Sequence, residues 1–452
     1  MRKTTQFKDK NILVLGLAKS GTAAAQLLLQ LGAKVTVNDQ KPLEENKEAQ
    51  KLQQLGAEVI CGSHPLELVH DQLDYVVKNP GIRYDNPLIE KAIEKNISVI
   101  TEVELAYEIS EADIIGITGS NGKTTTTTYI YEMLKGSSKD PLIAGNIGKV
   151  ATEVAQRAST NNVLVTELSS FQLMGIEHFR PRISLLLNLV EAHIDYHGSM
   201  ENYIQAKGNI FRNQSPEDYI IYNADDERVC KLVKGGQAKL IPFSTEVYDE
   251  TGAGIKDNYL MIFKEKLIPI EEMSLPGEHN VANGLAAAAA AYLAGAHIQR
   301  IREVLKTFTG VEHRLQFVTN VGGRSFYNNS KATNVPATIT SLKAFDQPVV
   351  LIAGGLDRGI SFDDLIPYFK DKVKSVITYG ETAAKIAETA KRATVPTVEV
   401  VETLDDAVTM AYENSTSGDV ILLSPACASW DQFKTFEERG NCFVEAVKKI
   451  VP

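Results

Sequence analysis

Short apolar runs alternate with amphipathic stretches through the first third of the chain. Asn11-Ile-Leu-Val-Leu15 reads as a strand, 20–30 as a helix and 34–38 as the next strand. The runs 74–78 and 97–100 repeat the pattern around a helix at 87–95. Strands joined through single helices are βαβ units, which predict a parallel sheet. A second block opens with the apolar run 113–118 and continues through strands at 163–167 and 183–188. A β-rich insert over about 239–270 follows, then an Ala-rich helix at 280–293 and a shorter helix ending near 308. After Gly310 the pattern is again α/β, with strands at 348–353, 375–379 and 419–423 and a closing helix at 431–450. No internal repeat or low-complexity linker interrupts it. The expected architecture is α/β in three domains: a Rossmann-like domain over 1–110, a central P-loop ATPase-like domain over 111–311 and a second Rossmann-like domain over 312–452.

Composition narrows the classes. With 452 residues and 44% apolar content the chain can fill several cores. No run approaches the roughly 20 apolar residues of a membrane span, and no signal peptide is read at the start. The four cysteines, at 61, 230, 427 and 442, lack metal-ligand spacing and fit a reduced, cytoplasmic protein. A net charge of −10 argues against a nucleic-acid footprint, so anionic ligands must be held by specific groups.

The segment 116–128 reads Gly-Ile-Thr-Gly-Ser-Asn-Gly-Lys followed by five threonines. It is a strand, a tight turn and a helix starting near Gly122. Gly119 and Gly122 let the backbone N–H groups of Ser120, Asn121 and their neighbours converge on one anion. Lys123 supplies a charge to the terminal phosphates, and the Thr124 hydroxyl, beside Thr125, suits Mg²⁺. The loop is shorter than the standard P-loop pattern, which places glycine where this chain has Ile117. Threonines are poor helix formers, so function or packing must favour them here. ATP is the expected ligand.

Other strand ends carry polar loops. Gly16-Leu17-Ala18-Lys-Ser-Gly21 is a variant of the dinucleotide fingerprint, with Asp39 at the end of the next strand. Alone it fits NAD, another nucleotide, or a ligand-free turn. Asn79-Pro80-Gly81 is either a second backbone cradle or a plain turn. Glu167 ends a strand, where a carboxylate near a phosphate loop suits Mg²⁺. His193 follows another strand and fits a metal ligand, a substrate contact or a cap. Lys207, on an amphipathic segment, reads by default as a solvated lysine. Asn280 and Asn283 share a helix face suited to a base or ribose, with N-capping by Asn280 as the alternative. His313 and Arg314 mark the domain break. The segment 329–334 is expected to begin a helix and face an anion. The loops at 354–359 and 424–429 are Gly-rich or polar and follow strands, the edge where such sheets bind ligands.

Taken together these motifs resemble the Mur ligases of bacterial cell-wall synthesis over nearly the whole chain. The phosphate loop, Asn280/Asn283 and His313-Arg314 mark the superfamily, much of which folylpolyglutamate synthetases share; the N-terminal βαβ domain argues against those. Ser330-Lys-Ala-Thr-Asn334 and 423–440, Leu-Ser-Pro-Ala-Cys-Ala-Ser-Trp-Asp-Gln-Phe-Lys-Thr-Phe-Glu-Glu-Arg-Gly, resemble the D-glutamate-adding branch. The resemblance implies an ATP-dependent ligase of cytoplasmic peptidoglycan precursor synthesis, acting as a monomer on UDP-N-acetylmuramoyl-L-alanine and D-glutamate, without nucleic acid or membrane.

It also implies roles. The first domain takes UDP, not NAD, through Leu17, Ala18, Asp39 and Asn79 to Gly81, with Asn146 and His193 near the muramoyl part. Gly119 to Thr125, Asn280, Asn283, Arg314, Asn329 and Lys331 serve ATP. Thr124, Glu167, His193 and a carbamylated, CO₂-derived Lys207 hold two Mg²⁺ ions, and Lys123, His193 and Lys207 are catalytic. Thr333, Arg358, Ser429, Trp430 and Phe436 serve D-glutamate. Two positions depart from the family: Asn329 stands where Asp is usual, and Arg358 where some members have lysine. A P-loop switch that binds ATP without making an amide is the rival from another class.

Overall fold

In the computed structural model, residues 1–275 and 277–450 are described. The chain divides into two compact units, Met1–Thr307 and Phe308–Pro452. The first holds two sheets and the second holds one.

The first sheet comprises β1 (Asn11–Leu15), β2 (Lys34–Asp39), β3 (Glu58–Cys61), β4 (Tyr75–Lys78) and β5 (Ser98–Ile100). Its order is β3-β2-β1-β4-β5, all parallel. The order reverses between β1 and β4, so the turns after these strands lie side by side, where an open α/β sheet binds its ligand. The helix Lys19–Gln30 follows β1 and buries Ala23, Ala24, Leu27 and Leu28 against the sheet. Its start is set by Gly21, where an added Cβ would fall 1.9 Å from the Gly16 carbonyl oxygen.

The second sheet has nine strands. They are β6 (Asp113–Thr118), β7 (Asp140–Gly145), β8 (Asn162–Glu167), β9 (Ile183–Leu186), β10 (Tyr219–Asn223), β11 (Lys239–Phe243), β12 (Ala253–Lys256), β13 (Tyr259–Ile262) and β14 (Glu265–Pro269). The order is β14-β13-β12-β11-β10-β9-β6-β8-β7. β6 to β12 pair in parallel, and the last two pairings are antiparallel. The expected β-rich insert is therefore the edge of this sheet, from β11 to β14, and its last two pairings are antiparallel. Beneath it the helix Lys123–Leu134 packs along the helix Glu278–Leu293. Ala286 to Ala291 are wholly buried there, small enough to let the two backbones approach. That packing, not propensity, keeps the threonine run helical: Thr124, Thr126 and Thr127 are buried, and the Thr128 hydroxyl bonds back to the Thr124 carbonyl at 2.8 Å.

The second unit contains β15 (Gln316–Val321), β16 (Arg324–Asn328), β17 (Val349–Gly354), β18 (Val373–Tyr379), β19 (Thr397–Val400) and β20 (Val420–Leu423). Their order is β15-β16-β20-β17-β18-β19, with only β15 antiparallel.

Three expectations are corrected. Residues 329–334 do not begin a helix; the helix is Val335–Lys343, capped by the Asn334 side chain with Pro336 in its first turn. Asn280 is not a cap, because the helix starts at Glu278 behind Gly277, whose φ of 94° only glycine adopts readily. The closing helix starts at Phe436 rather than Asp431.

The close approach at Gly21 makes a stability prediction. Gly21→Ala must displace the β1 turn, a misfit worth about 1–3 kcal/mol. It should lower the urea midpoint of the first unit, read from circular dichroism.

Candidate functional site

The central site is built on β6. Ile117 lies opposite Glu167 of β8, and Thr118 opposite Leu186 of β9, so both neighbouring strands end beside the phosphate loop. Gly122 has φ 82°, and a Cβ on it would fall 2.2 Å from Asn283 Oδ1. The turn can thus be made only by glycine, and it brings Asn283 against the loop. Thr126 Oγ1 also donates to Asn283 Oδ1, at 3.3 Å. The loop is held from β9's end as well: Asn121 N–H donates to Asn188 Oδ1 at 2.8 Å and Ser120 N–H to the Asn188 carbonyl at 3.0 Å. The Lys123 ammonium curls back onto the carbonyls of Gly119 and Ser120, at 2.8 and 2.9 Å. Thr125 is half-buried in the first turn, and Asn280 lies one turn before Asn283.

Glu167 is buried at the end of β8. One carboxylate oxygen accepts from Thr124 Oγ1 at 2.8 Å and the other from Asn146 Nδ2 at 2.8 Å. A hydroxyl and a carboxylate this close are the hard oxygen donors that Mg²⁺ takes.

Lys207 is not a solvated lysine. It is 1% exposed, its Nζ donates to the Gly119 carbonyl at 2.8 Å, and it lies 4.7 Å from the Tyr203 ring centre. Burial pulls its pKa well below the ordinary value, and the nearby Lys123 charge pulls it the same way. Its burial is not legible in the sequence, because the segment's polarity on the outer face hides one inward lysine. Tyr203 also bonds Ser120 Oγ at 2.9 Å, joining the lysine's helix to the phosphate loop. His193 is exposed and left-handed, with φ 56°, immediately before the helix Ile194–His197, and its side chain makes no cap. Desolvation, then the Lys207 charge, lowers its pKa. Phe171 supports it, ring centre to ring centre at 5.0 Å.

At the first sheet's switch point, Asp39 does not stand free for a ribose. Its carboxylate accepts from Leu17 N–H at 2.6 Å and Lys41 N–H at 2.9 Å, fixing the turn that presents Leu17 and Ala18. Asn79 Nδ2 donates to Ser20 Oγ at 3.2 Å, and Gly81 N–H to Asn79 Oδ1 at 3.2 Å. The two turns are therefore bonded to each other, with Pro80 between Asn79 and Gly81.

In the second unit the loops after β16, β17 and β20 carry the expected residues. His313 is buried against Gly440, and Arg314 beside it is exposed. Asn329 is buried: it accepts from Leu315 N–H at 3.1 Å and donates to Ser341 Oγ at 2.5 Å, so its amide is committed inward rather than to a ribose. Lys331 lies 5.6 Å from the Phe436 ring centre, and Thr333 is half-buried in the same turn. Ser429 is 1% exposed with a hydroxyl that has no protein partner. Arg358 is exposed, with its guanidinium 4.8 Å from the Trp430 ring centre. The sequence reading missed Arg439, which is wholly buried and ties Ser330 to the Cys427 carbonyl, at 2.8 to 3.0 Å. Its place in the closing helix, three residues beyond Phe436, was the available signal.

The glycine-bounded phosphate loop, its lysine and the Thr124–Glu167 pair, on parallel sheets, define a phosphate-loop nucleotide enzyme. Comparisons with known proteins are more specific. The Mur ligase MurD-like N-terminal domain matches residues 10–101, the Mur ligase middle domain 117–291 and the Mur ligase glutamate ligase domain 313–427. The chain is 58% identical over 451 residues to the UDP-N-acetylmuramoylalanine--D-glutamate ligases of Bacillus thuringiensis (strain Al Hakam) and Bacillus cereus (strain AH820), covering 100% of each chain. Among solved structures, UDP-N-acetylmuramate-alanine ligase MurC of Thermotoga maritima matches at 19% identity and TM-score 0.56, covering 98% of this chain and 99% of that one. MurF of Acinetobacter baumannii matches at 16% identity and TM-score 0.57, covering 98% and 93%. The chain belongs to the Mur ligase family.

Lys207 yields a pH prediction. Its folded pKa lies below the unfolded value, so the unfolded chain binds the extra proton, and stability from this site rises with pH up to about 10.4. Lys207→Met removes the buried charge while keeping most of the volume. In CO₂-depleted buffer its urea midpoint should equal or exceed the parent's at pH 7. That advantage should shrink as pH approaches 10.

Proposed function

We infer that the chain is an ATP-dependent ligase that joins D-glutamate to UDP-N-acetylmuramoyl-L-alanine, in cytoplasmic peptidoglycan precursor synthesis. The observation that carries this is the full-length 58% identity to D-glutamate ligases, with all three family domains in order. Among the described residues no helix is long and apolar enough to cross a membrane. The chemistry needs no second chain and no nucleic acid, and we take the working unit as a monomer. We place the domain boundaries near 111 and 311.

The alanyl carboxylate is a poor acyl donor, because an oxide would have to leave. Its oxygen attacks the γ-phosphorus of ATP, ADP departs, and an acyl phosphate results. The D-glutamate amine then attacks the acyl carbon, and the tetrahedral intermediate expels phosphate. Catalysis of this kind is mainly positioning and charge neutralisation. The N–H groups around Gly119 to Thr125 and the Lys123 ammonium would take the ATP phosphates. For Lys123 this means exchanging its two loop carbonyls for phosphate oxygens. Asn280, with Asn283 on the same helix face, would take the adenine, Arg314 the phosphates or ribose, and Lys331 would frame the ATP site.

The donor set at Thr124 and Glu167 fits Mg²⁺, with His193 beside it, and bound Mg²⁺ supplies neutralisation of the phosphate charge. An unmodified Lys207 ammonium would oppose the ion. Burial favours its neutral amine, whose nitrogen can attack CO₂ and release a proton, leaving an anionic carbamate that suits a pair of Mg²⁺ ions. In the first sheet the bonded turns would cradle UDP, with Asp39 acting through Leu17. Asn146, on the Glu167 carboxylate, would border the muramoyl part. Thr333, Ser429 and Phe436 would frame D-glutamate.

Release of ADP should require both UDP-N-acetylmuramoyl-L-alanine and D-glutamate in a coupled assay. ADP formation with either one absent, and no amide product, would instead favour an ATP-driven switch.

Arg358, whose guanidinium lies 4.8 Å from the Trp430 ring centre, would pair with the D-glutamate side-chain carboxylate. Losing a charge-assisted hydrogen bond costs about 1.5–3 kcal/mol, so Arg358→Ala should raise the KM for D-glutamate roughly 10- to 150-fold. The KM values for ATP and the UDP substrate should stay within about twofold. Arg358→Lys should recover part of the loss, since it keeps the charge without the planar fork.

A further inference from the structure

Lys78, the last residue of β4, is 1% exposed, and no role above uses it. Its ammonium donates to the carbonyls of Asn79 at 3.4 Å and Pro80 at 3.2 Å, and to the Tyr196 hydroxyl at 3.2 Å. It lies 4.9 Å from the Tyr84 ring centre. Among the described residues no carboxylate pairs with it, and burial alone pulls its pKa down to about 7. A buried cation without a protein counter-ion is costly. The groups facing it are Tyr84, Tyr196 and, further off, His197.

Tyr196 stands three residues beyond His193, and its hydroxyl also lies 3.0 Å from the Pro80 carbonyl and 2.8 Å from that of Ile82. Arg83 donates to the Asp195 carbonyl beside it. The turn 79–82 is thus fastened from beneath to the segment carrying His193. A peptide's carbonyl and N–H point in opposite directions. Drawing the Pro80 carbonyl onto Lys78 and Tyr196 therefore turns the Gly81 N–H the other way, toward Asn79 Oδ1, whose amide reaches Ser20.

We propose that Lys78 and Tyr196 form a positioning pair for the UDP-linked substrate: Lys78 fixes the Asn79–Gly81 turn and, when protonated, places a positive charge with no paired carboxylate behind it, suited to a nucleoside diphosphate. This rests on the assignment of UDP to the first sheet. The pair also links that turn to the His193 segment.

The test uses the whole enzyme. Lys78→Met keeps volume and removes charge, and Tyr196→Phe removes only the hydroxyl. Lys78→Met should raise the KM for UDP-N-acetylmuramoyl-L-alanine and the calorimetric Kd for UDP about tenfold or more, with the KM values for ATP and D-glutamate within about twofold. Tyr196→Phe should move the same constants by less, and the double variant no further than Lys78→Met alone. An unchanged KM and Kd in Lys78→Met, or an equal rise in all three KM values, overturns the inference. Asp39→Ala, measured alongside, separates the two claims. If it weakens UDP binding while Lys78→Met does not, the pair alone is wrong; if neither variant weakens it, the placement of UDP falls as well.

Discussion

The central constraint on this molecule is a backbone that must leave β6, expose a row of N–H groups and enter a helix within four residues. Leu187 and Asn283 stand so close to Gly119 and Gly122 that an added Cβ would meet them at 2.9 and 2.2 Å. Everything near the loop follows from that crowding. Asn188 can reach Asn121 because β9 ends beside it. Asn283 can face Gly122 because Ala286 to Ala291 let their helix approach the threonine helix. Glu167 meets Thr124 because β8 pairs with β6 in a register that ends the two strands together. A cradle for several phosphate charges needs such rigidity, since donors fixed in advance need no reorganisation as charge develops.

Charge is the second constraint. The chain carries a net charge of −10, yet its nucleotide substrates are anions. The molecule answers locally. Lys78 and Lys207 are each 1% exposed, at the carboxyl ends of the first and second sheets, and Lys123 lies in the phosphate loop. Each of the three points its ammonium at backbone carbonyls rather than at a carboxylate. A carboxylate partner would stabilise the empty protein but neutralise the field a phosphate is to meet. Carbonyl partners add no opposing charge, while burial itself lowers the pKa of Lys78 to about 7 and favours the neutral amine at Lys207.

This pattern explains what was legible in the sequence. The strands at 11–15, 34–38 and 113–118 stood out because parallel strands buried on both faces are unbroken apolar runs. The phosphate loop stood out because two glycines and a lysine at that spacing have few other uses. Boundaries at 278, 335 and 436 were displaced by local capping: Gly277, Asn334 and Thr435, whose hydroxyl accepts from Glu438 N–H, decide them, and none belongs to the apolar period. Lys78, Lys207 and Arg439 were misread or passed over for one reason. Their burial depends on neighbours far along the chain, Tyr196 for Lys78 and Cys427 for Arg439, and hydropathy scores any lysine or arginine as solvent-facing.

Asp39 and Asn329 show the same limit from the opposite side. Both stand at strand ends, where polar residues serve ligands in such sheets, and both spend their polar atoms on the protein. Asp39 holds Leu17 and Lys41, and Asn329 holds Leu315 and Ser341. For Asn329 this accounts for a neutral side chain. An amide can accept from Leu315 N–H and donate to Ser341 together, whereas a carboxylate can only accept. A charge buried at 7% exposure would also lack a cation among these partners. The position thus forms a bonded junction between the turn before β15 and the helix Val335–Lys343.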